Sequence, residues 1–403
     1  MQKAKVVMDK TTQNNIDSWL EGDYDEASQK EIRRLQQENP EELLDAFYTH
    51  LSFGTGGMRG VLGVGTNRIN AYTIGAATQG LANYLLKQGG KHSVLVGFDS
   101  RHHSRDFAEE VAKVLSANGI EVFLFRELRP VASISYGVRH LKCSAGVMIT
   151  ASHNPPKYNG YKVYWNHGGQ VLPPHDRGII DEVAKISQPS LVKKGVYPHP
   201  LIHDVSEEID TPYLAKLREL QPHPGDDHSH GKELAIVYSP IHGGGITMVP
   251  PALEQWGFTN LTFVEEQCTP NGDFPTVKVP NPEEPETLKM GIALLEKTQG
   301  DIFIATDPDV DRLAVTVMHN GKPVSFNGNE IACLALEHLC HSLTETKQMP
   351  PKPMAIKTIV TSELFKAIAD HYQVSCLDVL TGFKYIGQKI SQWEEEKPAH
   401  VQG

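Results

Sequence analysis

Past about residue 50, short β-branched runs alternate with segments of helical period, and that alternation predicts an α/β fold. Strands are predicted at Ser93–Phe98, Glu121–Phe125, Ala145–Thr150, Glu233–Tyr238, Leu261–Val264, Ile302–Ala305 and Met354–Ile359. Helices are predicted at Ile74–Lys87, Arg105–Asn118, Thr211–Leu220, Glu283–Lys297, Glu330–His341, Ser362–His371 and Lys384–Glu395. Residues 1–50 read as polar helix, with Glu31, Arg33, Arg34, Glu38, Glu41 and Glu42 around a sparse stripe of Ile32, Leu35, Leu43, Leu44 and Phe47. So thin a stripe predicts a helical extension rather than a core domain.

The elements recur as one unit: strand, loop, helix, strand, then a further strand running into a polar loop. VLVGFDSR, EVFLF and AGVMITASHNP make one copy, and AIVYSPIHGGG, NLTFV and DIFIATDPDVDR a second. A third begins at MAIKTIVTS and continues through VSCLDVLTG. The polar loop follows the first strand by 53 positions in copy one (Val96 to Ile149) and 68 in copy two (Ile236 to Ile304). The same distances from Ile356 reach positions 409 and 424, past residue 403. The expectation is an extension over 1–44, domains over 45–205 and 206–322, and a third, incomplete domain over 323–403. The Pro- and charge-rich KKGVYPHPLIHDVSEEID separates the first two, and HNGKPVSFNGNE marks the next shift.

Composition narrows the function classes. Hydrophobic residues at 39% and charged residues at 22% supply a core and exclude wholesale disorder. A net charge of −11 disfavours nucleic acid or an anionic membrane as partner, so any anion must be held locally. The five cysteines form no C-x-x-C pair, which points to reduced thiols. With neither a signal-peptide core nor a long apolar run, the expected location is the cytoplasm.

Chemistry concentrates in four places. Thr150-Ala151-Ser152-His153-Asn154-Pro155-Pro156 follows an apolar strand that Asn-Pro-Pro cannot continue, so Ser152 is presented on a sharp turn. In isolation such a serine reads as a turn or cap residue. As a nucleophile it needs a base or a metal beside it, and His153 and Lys162 are the nearby candidates. Asp307-Pro308-Asp309-Val310-Asp311-Arg312 follows the strand IFIA and offers three hard carboxylates suited to Mg²⁺, with Arg312 able to grip a phosphate. An EF-hand is disfavoured, since its sixth position would be Arg312 and its twelfth Met318. Gly54-Thr55-Gly56-Gly57-Met58-Arg59-Gly60 is a candidate anion cradle bearing Arg59, without the G-K-[ST] ending of a P-loop. Gly97-Phe98-Asp99-Ser100-Arg101 ends a strand where ligands of open α/β sheets bind, making Arg101 a candidate phosphate contact. A serine, a magnesium triplet and several anion sites together point to phosphoryl transfer.

TASHNP followed by YNGYK, with DPDVDR downstream and GTGGMRG upstream, resembles the α-D-phosphohexomutase family of phosphoglucomutases and phosphomannomutases, over roughly residues 45 to 403. NGYKVYWNHGGQVLPPHDRGI resembles the branch of bacterial phosphoglucomutases, phosphopentomutases and sugar-bisphosphate synthases. The resemblance implies repeated three-layer αβα domains with mixed sheets. It implies that hexose 1-phosphate and hexose 6-phosphate interconvert through a phosphorylated Ser152 and a sugar bisphosphate, with glucose 1,6-bisphosphate or an equivalent as activator. Mg²⁺ would then be held by Asp307, Asp309, Asp311 and an oxygen of phosphorylated Ser152. Arg59 would stabilise the phosphoryl in transit, His153 and Lys162 would move protons, and Arg312 and Arg101 would meet substrate phosphate. Thr381, Gly382 and Lys384 lie in TGFK, which resembles a third-domain loop that distinguishes sugar orientations. A G-E-E-S-type sugar loop and a fourth, phosphate-binding domain do not follow, so the expectation is a third domain incomplete and a fourth absent. Full turnover is then in question.

Two rivals stand beside this reading. A haloacid-dehalogenase-type phosphatase would use Asp307 as nucleophile, but it leaves TASHNP and GTGGMRG unexplained. A non-catalytic sugar-phosphate-binding fragment is the other, and turnover of glucose 1-phosphate would exclude it. Elsewhere His223, His228 and His230 read as a solvated loop, Cys333 and Cys340 as core, and His242 in SPIHGGG equally as a cleft residue or a helix cap. These motifs select neither among glucose, mannose and pentose phosphates nor an oligomeric state.

Overall fold

A computed structural model describes residues 8–54 and 56–396, which fall into two compact units divided after Ser206. The first unit opens with helices α1 (Lys10–Glu21), α2 (Glu26–Glu38) and α3 (Pro40–Phe47). Each starts where Asp9, Asp25 or Asn39 accepts a backbone N–H of its own first turn. The three helices bury a core of their own: Ile16, Trp19, Ile32, Leu35, Leu43 and Phe47. Trp19 stacks on Tyr24 with ring centroids 4.1 Å apart, and Tyr72 packs edge-on against both. Tyr72 also donates to Asp25 Oδ2 and accepts the Asp25 N–H, both at 2.7 Å, which ties the helices to the domain behind them.

That domain runs β1 (Gly57–Val61), α4 (Ala71–Lys87), β2 (Ser93–Phe98), α5 (Ser104–Ala117), β3 (Glu121–Phe125), α6 (Val131–His140), β4 (Ala145–Ile149), β5 (Tyr158–Trp165), α7 (His175–Val183) and β6 (Ile202–Val205). Its sheet is ordered β1-β5-β4-β2-β3-β6, with β5 antiparallel to both neighbours and the other pairs parallel. Every residue of β4 is buried, as expected of a central strand covered on both faces. Phe98 pairs with Ile149, so the loops leaving β2 and β4 emerge side by side at one edge of the sheet.

The second unit runs α8 (Glu207–Arg218), α9 (Pro224–His230), β7 (Ile236–Ser239), α10 (Gly245–Gln255), β8 (Leu261–Phe263), α11 (Glu265–Cys268), α12 (Pro285–Thr298), β9 (Ile302–Thr306), β10 (Leu313–His319), β11 (Lys322–Phe326), α13 (Gly328–Glu345), β12 (Met354–Thr358), α14 (Glu363–His371), β13 (Ser375–Val379) and α15 (Phe383–Glu396). Five strands are ordered β11-β10-β9-β7-β8, and β12 pairs with β13, in parallel, as a separate two-stranded sheet. The repeat read in the sequence is visible here, since β4-β2-β3 and β9-β7-β8 place corresponding strands in the same order. The third copy contributes β12 and β13 among the described residues, with Leu336, Cys340, Ala369 and Val374 as its core. Cys333 and Cys340 are buried as expected, and His228 and His230 are not. No helix among the described residues is long and apolar enough to cross a membrane.

Candidate active site

β4 carries the chain to Ser152, which sits in the left-handed region at φ 51° and is buried. Its N–H donates to Thr150 Oγ1 at 2.8 Å, and its Oγ lies 3.1 Å from His153 Nδ1. The strand therefore ends in a strained turn that aims a hydroxyl at an imidazole. Arg59, on β1 opposite Gly160, reaches back with Nη1 to Asn154 Oδ1 at 2.9 Å, so an exposed guanidinium stands beside the serine turn. Lys162 lies on β5 between Gly57 of β1 and Met148 of β4. Thus Arg59, Ser152, His153 and Lys162 all belong to one edge region of the first sheet.

The glycine-rich segment is bound to β5 rather than left open as a cradle. Val163 N–H donates to the Gly56 carbonyl at 2.9 Å, and Gly57, at φ 133°, lies so close to β5 that a Cβ would come 1.8 Å from the Tyr161 carbonyl oxygen. Thr55 of this motif lies outside the described residues.

Arg101 has a different task from the phosphate contact expected of it. Its side chain is fully buried, and Nη1 donates to the carbonyls of Pro155 (3.0 Å) and Tyr158 (2.9 Å), Nη2 to those of Ser152 (2.6 Å) and Asn154. One guanidinium thus gathers four carbonyls of the serine loop from inside. Asp99 counters its charge, with Oδ2 3.4 Å from Nε and Oδ1 accepting Arg101 N–H and Ser104 Oγ. Burial pushes the Asp99 carboxyl above the usual carboxylate range, against the pull of Arg101. Sequence shows that a position is charged; it does not show that the charge is spent inside the fold.

β9 delivers the acidic loop of the second unit. Asp307 and Asp309 are fully buried and Asp311 is exposed, and one carboxylate oxygen from each lies within 4.8 Å of the others. The turn is tight: Val310 N–H donates to the Asp307 carbonyl, and Asp307 Oδ1 accepts the N–H groups of Asp311 and Arg312 at 3.0 Å. Val310, a β-branched residue, is held at φ 63° to make it. Three hard anionic donors so close repel one another until a divalent cation joins them, so the donor set fits Mg²⁺. Arg312 points its Nη1 to Glu283 Oε1 at 3.0 Å, an ion pair across 29 residues that motif reading does not foresee.

In the third copy Thr381 is exposed, Gly382 turns at φ 126°, and the Lys384 ammonium lies 5.0 Å over the Tyr385 ring. A residue that sequence reasoning passed over lies nearby in the chain. Lys357, inside β12 and 2% exposed, is clasped by Glu363 Oε1 at 2.8 Å and Asp378 Oδ1 at 3.0 Å, which hold its ammonium above the ordinary lysine value. A lysine within a β-branched run was the available signal.

Three family descriptions match in succession: phosphoglucomutase/phosphomannomutase alpha/beta/alpha domain I over residues 50–190, domain II over 211–321 and domain III over 327–397. A phosphoglucomutase of Staphylococcus saprophyticus is 36% identical over 383 residues, 94% of this chain and 67% of that protein. A probable phosphoribomutase of Schizosaccharomyces pombe is 35% identical, covering 96% of this chain and 67% of that protein. The Homo sapiens phosphopentomutase is also 35% identical, over 93% of this chain and 64% of that protein. The chain thus spans about two thirds of the length of the curated relatives it matches. In fold it is similar to a putative phosphomannomutase from Thermus thermophilus, with a TM-score of 0.70 at 24% identity over 86% of this chain and 72% of that one.

Proposed function

The chain belongs to the phosphoglucomutase/phosphomannomutase family of mutases, isomerase-class enzymes, and from that premise we propose that Ser152 carries the phosphoryl group a sugar phosphate gains and returns. The observation that carries this reading is the Ser152 hydroxyl on its left-handed turn, 3.1 Å from His153 Nδ1 at the edge of the sheet. Starting from phosphorylated Ser152, a hydroxyl oxygen of the sugar monophosphate bonds to phosphorus as the bond from phosphorus to Oγ breaks. The attacking hydroxyl gives up its proton to a base and Oγ gains one, leaving serine as an alcohol and the sugar as a bisphosphate. The reverse step with the other phosphoryl group restores phosphorylated Ser152 and releases the isomer.

His153 stands where it can supply the proton to Oγ, and Lys162 is the candidate base for the sugar hydroxyl. Arg59, anchored on Asn154, offers its charge to the phosphoryl in transit. A divalent cation held by Asp307, Asp309 and Asp311 would supply charge neutralisation, and hard oxygen donors favour Mg²⁺. Arg312, Thr381, Gly382 and Lys384 are the proposed contacts to substrate, and glucose 1,6-bisphosphate the proposed activator. The five free cysteines support a cytoplasmic setting.

Hexose 1-phosphate and 6-phosphate are the proposed substrates. The pentose alternative draws support from relatives named phosphoribomutase and phosphopentomutase, at 35% identity against 36% for the phosphoglucomutase. Peptide mass spectrometry before and after incubation with glucose 1,6-bisphosphate and Mg²⁺ tests the central step. One phosphoryl group on Ser152, absent from S152A, is expected. A folded, Mg²⁺-loaded chain that stays unmodified overturns the reading and leaves a sugar-phosphate binder. Comparing kcat/KM for glucose 1-phosphate and ribose 1-phosphate then assigns the sugar.

A further inference from the structure

We infer that the turn Ser239–Gly245, the SPIHGGG segment, shapes the acidic loop, so that cation affinity depends on residues that do not ligate the ion. The inference rests on Asp307, Asp309 and Asp311 being a cation site. β7 and β9 are neighbouring parallel strands with Ser239 opposite Ala305, so the two loops that follow them run side by side. Ile241 and His242 both take left-handed backbone, at φ 44° and 59°, and fold the turn onto the aspartates' own backbone. There Gly244 N–H donates to the Pro308 carbonyl at 2.8 Å. Gly243 lies so near that a Cβ would stand 2.3 Å from Pro308 Cα and 2.8 Å from its carbonyl oxygen. Those are backbone atoms between Asp307 and Asp309, and they cannot swing aside without moving both carboxylates.

The far side of the turn is fixed by a hydrogen-bond chain whose direction can be worked out. Thr269 offers a carbonyl, which only accepts, so His242 Nδ1, 3.0 Å away, carries the proton and Nε2 accepts from Thr276 Oγ1 at 2.9 Å. Thr276 Oγ1 in turn accepts from Gln267 Nε2 at 3.0 Å, Gln267 Oε1 accepts from Ser239 Oγ at 2.6 Å, and Ser239 Oγ accepts the Ile241 N–H at 3.0 Å. His242 is 1% exposed and lies just past the end of β7, and it caps no helix, since Gly244 is the N-cap of α10. It locks the turn from behind while Gly243 and Gly244 press on the acidic loop in front. Such supporting groups typically change metal affinity about 10–100-fold when altered.

The test is Mn²⁺ and Mg²⁺ titration by calorimetry on the full chain, with melting of the metal-free forms measured alongside. Wild type is expected to bind one ion and D309N to lose it. G243A is expected to bind about 10–100-fold more weakly, and T276V, which removes the hydroxyl that His242 Nε2 needs, more weakly by about 10-fold, the low end of that range. A folded G243A within about twofold of wild type overturns the inference. If G243A does not fold, T276V decides, and binding within about twofold of wild type overturns it as well. A wild type that binds neither ion removes the cation site itself, and the inference falls with it.

Discussion

Replacing Arg101 with methionine keeps most of the buried volume and removes the charge that gathers the serine loop. The substitution strands the Asp99 carboxylate, which has no exposure, and takes a donor from the carbonyls of Ser152, Asn154, Pro155 and Tyr158. Removing one partner of a buried ion pair costs about 3–5 kcal/mol, and the loop carbonyls recover part of their bonding from water. Against a domain stability of roughly 5–15 kcal/mol, that is from about a fifth of the margin to all of it. The loss depends on pH with a definite sign. Burial raises Asp99 above its ordinary 3.8, so the folded protein holds this proton more tightly than the unfolded chain. The stability it contributes is complete below that ordinary value and is lost as pH rises through the folded value. Without Arg101 the carboxyl is raised further, so the deficit of R101M against wild type is least in acid, where only the lost carbonyl bonds remain, and grows toward neutrality. Urea unfolding of wild type, R101M and D99N/R101M between pH 4 and 7 is the assay, and the double variant should recover part of the loss at pH 7. A deficit under about 1 kcal/mol at pH 7, or one flat across the series, refutes the assignment.

G57A should cost several kcal/mol and separate β1 from β5, because both the φ of 133° and the 1.8 Å approach to Tyr161 forbid a side chain; soluble yield and melting temperature read it directly. V310G relieves about 1–2 kcal/mol of left-handed strain and returns about 0.5–1 through unfolded-chain entropy, so metal-free melting should shift by only a few degrees while Mn²⁺ titration shows weaker binding. Y72F removes both hydrogen bonds to Asp25, and hydrogen exchange in Lys10–Phe47 should rise by about 1–2 kcal/mol of lost protection, with β2 and β4 unchanged.

Local pattern fixed some elements and not others. Ser93–Phe98 and Glu121–Phe125 are bounded as the pattern predicts, since short runs of strand-forming apolar residues are recognisable without their partners. β5 is absent from the predicted strands: its Asn159-Gly160 reads locally as a turn, and pairing with β1 and β4 overrides that preference. The helix over Thr211–Leu220 begins earlier, at Glu207, and carries Pro212 within it. The strand expected from Glu233 begins at Ile236, after a short 3-10 turn. In the site, Ser152 and the aspartate triplet were legible because polar residues directly after a buried strand must emerge at the sheet edge. Arg101 was misread because its acceptors are main-chain carbonyls more than 50 residues away, which no side-chain motif encodes. Trp19 and Tyr24 were overlooked for a similar reason, since Tyr72, which joins them into a core, comes from a different segment.

The β12–β13 pair has a practical consequence for anyone handling the protein. Among the described residues each strand keeps one side of its backbone ladder unpaired within its sheet, and Met354, Leu380 and Phe383 stand exposed in the same stretch of chain. An open ladder beside apolar side chains is a template for a strand from another molecule. Where no further strand covers it, this pair should therefore favour self-association, and a lysine placed at Met354, which is exposed on β12, should raise the solubility limit without disturbing the acidic loop.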